Sequence, residues 1–264
     1  MVDMELQSSL IESNQPRGSV LVAHGFAEHH GRYASLKQAL NEAGYDVWFR
    51  DFMGHGTSAG ARATVDVGAL IAEHLEARKE LNRVTRTEKN YLFGHSMGGL
   101  ITLASILLDP HHIDAVAVTG PALRPLPKVG LSAAKFGQRI GRVFPSLKSV
   151  SLDDTAISRD PDVVEAYRND PLVYHGKVPL LTGSSMVIQG DHVIKNARVL
   201  CVPTLIMHGA ADGLAEAQGS VEFAEAAPED IVTIEIVEDA FHELLNEPDH
   251  AEYESTISTW YNQH

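Results

Sequence analysis

The chain has 264 residues, room for one large domain or for one domain with a sizeable insertion. Hydrophobic residues at 44% and charged residues at 21% exclude a disordered or collagen-like chain. Lys and Arg total 21 against 35 Asp and Glu, a net charge of −14 that repels phosphate backbones and anionic headgroups and argues against nucleic acid as a partner.

Residues 1–18 show no basic segment followed by a long apolar one, so no secretory signal is read there, and they have room for one or two edge strands. SVLVAH (19–24) reads as a strand, followed by a helix near 32–43, a strand at 45–50 (YDVWFR) and a helix near 66–82. NYLF (90–93) is a strand, 97–108 a helix and DAVAVT (114–119) a strand. The rhythm then breaks until PTLIMH (203–208), a helix near 216–227, IVTIEIV (231–237) and a helix near 247–262. Several of these strands are almost continuously apolar, as strands covered on both faces must be. The alternation implies an α/β fold with a mostly parallel, doubly wound sheet. The interval holds apolar residues at helical spacing (Val129, Ala133, Phe136, Ile140, Val143), then Pro- and Asp-rich turns, then a helical piece near 161–168. Connections in such folds are usually short. Residues 121–200 therefore read as an inserted helical cap on a core made of 1–120 and 201–264; a decoration remote from any site is the alternative. The longest nearly apolar stretch, Met97–Leu108, is too short to span a bilayer, so the chain reads as soluble and cytoplasmic.

The strongest chemical signal is Gly94-His95-Ser96-Met97-Gly98, which fits G-x-S-x-G between a strand and a helix. There the flanking glycines remove side chains from a sharp turn, and the serine stands at the positive end of a helix. A serine hydroxyl needs a base. Of the 14 histidines, His242 lies between the last strand and the last helix, at the carboxyl edge where Ser96 also stands. His24 and His95 adjoin turn glycines and read as structural. The pairs His29-His30 and His111-His112 lack ligand spacing, so no metal is expected. Asp212, in the loop after PTLIMH, is the preferred acid for His242; Asp239, three residues before the histidine, competes. The order Ser96, Asp212, His242 is that of an α/β-hydrolase. The backbone N–H groups of Met97 and of Phe26, in His24-Gly25-Phe26-Ala27, are the expected oxyanion donors.

These motifs carry a family likeness. His24–Tyr33 (HGFAEHHGRY) resembles the H-G-x-x-E-H-x-x-R-Y signature of monoacylglycerol lipases, and Asp51–Ser58 (DFMGHGTS) their D-x-x-G-H-G-x-S turn. GHSMGG (94–99), HELLNE (242–247) and the segment Tyr167–Leu172 (YRNDPL) also match, so the likeness runs from about residue 19 to the C-terminus. It implies an α/β-hydrolase fold and cleavage of a glycerol ester bearing one fatty acyl chain, without metal or organic cofactor. It also implies head-group contacts at Glu28, Arg32 and Tyr167. The alternatives are a salt bridge bracing the oxyanion loop for Glu28 and Arg32, and a packing role for Tyr167. Phe26 is bulkier than the small residue usual at its place, which would narrow the entrance.

A carboxylesterase or lysophospholipase of the same fold, a related peptidase and a non-catalytic ligand receptor are the other functions weighed. The apolar residues of 129–144 suggest transient contact with lipid aggregates, or simply packing over an acyl pocket. The single cysteine, Cys201, excludes an internal disulfide and reads as a buried small hydrophobe at a strand start.

Overall fold

The computed structural model describes residues 6–264. Seven strands form one sheet: β1 (Gln7–Ser9), β2 (Gly18–Ala23), β3 (Tyr45–Phe49), β4 (Asn90–His95), β5 (Ala115–Thr119), β6 (Thr204–Gly209) and β7 (Val232–Val237). Their spatial order is β1-β3-β2-β4-β5-β6-β7. All neighbours are parallel except β1, which runs antiparallel to β3 at one edge. One edge strand thus lies in the N-terminal arm; the part of that expectation falling on residues 1–5 lies outside the described residues.

The apolar runs owe their continuity to helices on both faces. Leu21, Leu92, Val116 and Val118 face one core, shared with α2 (Val67–Val84), α3 (Met97–Leu108) and α7 (Ala217–Ala226). Val20, Val22, Phe93 and Ala117 face the other, closed by α1 (Ala34–Glu42) and α8 (His250–Gln263). Successive strand residues point to opposite faces, so burial of both leaves no polar alternation. β7, the far edge, alternates between partly buried and exposed residues along most of its length.

Between β5 and β6 stand α4 (Leu131–Val143), α5 (Pro161–Asn169) and α6 (Leu180–Asn196). The first two match the sequence expectation; α6, at 17 residues, was not expected. Gly183, Ser184, Ser185 and Gly190 break its apolar pattern, but the same small residues let it pack tightly. At Gly141 of α4 a Cβ would lie 2.7 Å from the Leu181 nitrogen of α6, so only glycine permits that approach. The far half of α6 sends Val193 and Ile194 into the core beneath α3, which anchors the insertion. Cys201 is exposed, contrary to expectation. In the extended approach to β6 the chain alternates, burying Leu200 and Val202 and turning Cys201 outward. No helix among the described residues is long and apolar enough to cross a membrane.

Candidate active site

The chain proceeds outward from β2 to β3, then returns to place β4 on the other side of β2. Loops leaving the carboxyl ends of β2 and β4 therefore diverge, and a crevice opens between them. Ala23 pairs with Gly94, so the loop beginning at His24 and the turn at Ser96 start side by side.

Ser96 joins β4 to α3 with φ 52° and ψ −117°, a left-handed conformation that costs a non-glycine residue about 1–3 kcal/mol. The surroundings enforce it. Its N–H donates to Thr119 O at 3.0 Å, and its carbonyl accepts from Leu100 and Ala122, each at 3.0 Å. At Gly98 a Cβ would lie 2.2 Å from Ala23 O, so glycine alone lets α3 begin this close to β2.

His242 arrives from the loop after β7, with Nε2 2.8 Å from Ser96 Oγ. Its Nδ1 is 2.6 Å from Asp212 Oδ2, in the loop after β6. Asp212, rather than Asp239, is thus the acid on the imidazole. The other oxygen, Oδ1, accepts from Leu214 N and Ala215 N at 2.8 and 2.9 Å. Burial opposes ionisation of Asp212, but His242 and His208 hold its carboxyl well below the usual range. Burial likewise opposes a charged His242, yet Asp212 raises it above the ordinary 6.5. His95 lies beside it, ring centroids 4.8 Å apart, and burial together with His242 pushes it down to about 3, so it stays neutral. His24 donates from Nδ1 to Gly25 O and accepts from Phe52 N, a structural bond pair.

Met97 begins α3, where an N–H has no helical acceptor, and Ser96 offers no side-chain cap. Phe26 follows Gly25, whose N–H donates to Glu28 Oε1 at 2.6 Å. Glu28 also accepts from Tyr33 Oη at 2.5 Å and from Arg32 Nη1 at 2.7 Å. Ala27 O accepts from Tyr174 N at 2.7 Å, which ties the same loop to the insertion. Motif reading missed Glu243: both its oxygens accept from Arg32 at 2.7 Å, so one guanidinium clamps the loop after β2 to the His242 loop. Only its place beside His242 hinted at this. The Tyr167 ring covers Arg32, 4.7 Å from centroid to Cζ.

A cavity of about 440 Å³ opens on Ser96 and His242. Phe136 and Ile140 of α4 and Met186 and Val187 of α6 wall it with apolar surface; Glu28 and Tyr167 line its polar end, while Arg32 does not line it. Phe26 also lines it, edge-on to His55 at 5.8 Å. Among the described residues no group of His, Cys, Asp and Glu could hold a metal ion.

A doubly wound parallel sheet with a serine on the turn after its central strand and a histidine and an acid on later loops defines the α/β-hydrolases, and the protein is a hydrolase. A family profile described as "Serine aminopeptidase, S33" matches residues 14–249. The monoacylglycerol lipase of Mycolicibacterium smegmatis is 32% identical over 94% of this chain and 89% of its own. The monoglyceride lipase of Homo sapiens is 29% identical over 88% and 77%. Among solved structures, the monoacylglycerol lipase of Paleococcus ferrophilus superposes with a TM-score of 0.87 at 32% identity, covering 99% of this chain and 100% of that one. The chain belongs to the S33 serine hydrolase family and, within it, to the monoacylglycerol lipase family.

Proposed function

We propose that this protein hydrolyses monoacylglycerols to glycerol and free fatty acid through an acyl-enzyme on Ser96. The observation that carries the reading is the line Ser96–His242–Asp212 at the floor of an apolar cavity with one polar end. His242 Nε2 takes the Ser96 proton as Oγ attacks the ester carbonyl, and the N–H groups of Phe26 and Met97 receive the oxyanion. His242 returns the proton to the glycerol oxygen, and the C–O bond breaks. Water then attacks the acyl-enzyme, losing its proton to His242; the bond from the acyl carbon to Ser96 Oγ breaks, His242 returns the proton to Oγ, and the fatty acid leaves. Asp212 stabilises the imidazolium in both halves.

The residues at the polar end divide the work. Glu28 Oε1 is occupied by two donors and Oε2 by one, which leaves Oε2 room for a glycerol hydroxyl. Burial and the nearby carboxylates of Glu243 and Glu28 push the Tyr167 hydroxyl well above its ordinary value, so it remains a donor to the head group. Arg32 acts on the head group by holding Glu28. A cavity of this size and lining suits one acyl chain better than a charged peptide terminus.

Residues 121–200 serve as the cap of this cavity. Val143 and Phe144, which do not line the cavity, are 69% and 58% exposed, and we read them as the surface that meets lipid aggregates, a peripheral contact. A panel of monoacylglycerols, diacylglycerols, nitrophenyl esters and lysolipids, with Ser96→Ala as control, tests the whole reading. Monoacylglycerols should give the highest kcat/KM; preference for lysolipids or for peptides would overturn it.

A further inference from the structure

Asp212 carries a second imidazole. His208, at the end of β6, is fully buried, with Nε2 3.0 Å from Asp212 Oδ2, the oxygen that also receives His242 Nδ1. Nε2 faces a second acceptor, Ala215 O, at 3.1 Å. Its Nδ1 is 2.7 Å from the hydroxyl of Ser220 in α7, also fully buried. With acceptors alone in front of Nε2, that nitrogen holds the proton, and Nδ1 accepts from Ser220. A mirrored chain results, Ser96–His242–Asp212–His208–Ser220, of which only the first half reaches the cavity.

We propose that His208 is a positioning residue for the hydrolysis: it fixes Asp212 Oδ2 toward His242 and shares the carboxylate's charge, with Ser220 setting its tautomer. The inference rests on the reading of Ser96, His242 and Asp212 as the catalytic relay.

The charges around His242 explain why that sharing matters. Asp212 faces it from the β6 side, Glu28 from the loop after β2, Glu243 from its own loop, and neutral His95 from the end of β4. Glu28 and Glu243 both pair with Arg32, so Asp212 is the carboxylate whose charge falls most directly on the ring. A carboxylate with one imidazole partner would bind an imidazolium too firmly for easy return of its proton to the leaving oxygen. A second donor on the same oxygen draws off part of that charge and limits rotation of the carboxylate.

The test is the pH dependence of kcat/KM with a monoacylglycerol for His208→Leu, His208→Gln and Ser220→Ala. Loss of the second donor should move the acid-limb midpoint upward by about 0.5–1 unit in His208→Leu. It should lower kcat about 10-fold and leave KM unchanged. His208→Gln, whose amide N–H can reach Oδ2, should bring the midpoint back toward that of the unaltered protein. Ser220→Ala should move it in the same direction as leucine, by less. A residue that merely filled space would lower the melting temperature and leave the midpoint in place. An unmoved or lowered midpoint in His208→Leu overturns the proposal, and Ser220→Ala decides in the same way if the leucine variant does not fold. Ser96→Ala is run beside them: turnover surviving there would overturn the relay itself, a result distinct from failure of the His208 role.

Discussion

At Ser96 a residue with a side chain holds a φ of 52° that its neighbours enforce, and the result is a hydroxyl 2.8 Å from a base at the mouth of a helix. Replacing it with alanine should cut kcat by on the order of 10⁴–10⁶, read by steady-state turnover with the fold checked by circular dichroism. Asp212→Asn should cost about 10⁴ in kcat. The pH profile has a definite sign. Despite burial, Asp212 raises His242 above 6.5, so the protonated ring, which cannot accept the Ser96 proton, persists to higher pH. Thus kcat/KM should climb with pH through a midpoint above 6.5, and Asp212→Asn should bring that midpoint down. A midpoint at or below 6.5 in the unaltered protein would contradict the upward shift that Asp212 imposes on His242. The three relay positions were legible because the turn glycines and the chain order leave a pattern in the sequence. Glu243 was not, since its role exists only as a contact with Arg32, 211 residues away, and His208 was not, since a histidine at the end of a strand four residues before an acid leaves no motif. Cys201 misled for a local reason: an apolar flank says nothing about which side of an extended chain faces out.

The elements around the site are tied by ion pairs that the sequence pattern does not announce. Arg32 bridges the loop after β2 to the loop after β7, with its side chain and both carboxylates nearly enclosed. Removing one member of such a group leaves buried charge unmatched, so Arg32→Met should destabilise the fold by about 3–5 kcal/mol, measured by denaturant unfolding. The insertion is legible in part. α4 has a clear apolar stripe, whereas the glycines and serines of α6 hide a helix whose packing depends on those small residues. At the end of α4 and just beyond it, Val143 and Phe144 are largely exposed, and neither lines the cavity. Val143→Glu with Phe144→Glu should reduce turnover of long-chain monoacylglycerols above their aggregation threshold and leave a soluble short-chain ester unaffected. Equal loss on both substrates would assign these residues to packing.

At the scale of the molecule, the reversal of strand order at β2 and β4 brings distant loops to one crevice, and the continuous apolar strands made that sheet legible. The net charge of −14 acts over the whole surface. At low salt, hydrolysis should be slower on anionic than on zwitterionic mixed micelles, and the gap should close as ionic strength shortens the screening length to about 3 Å at 1 M. Flat behaviour across headgroup charge would remove electrostatics from the account of lipid contact. The central claim is a single covalent nucleophile serving a monoacylglycerol site. Its most direct test is titration with a long-chain alkyl fluorophosphonate, followed by peptide mass spectrometry and assay of residual monoacylglycerol hydrolysis. One equivalent should modify Ser96 alone and abolish turnover in proportion. Label on another residue, or hydrolysis continuing in fully modified protein, would contradict the account.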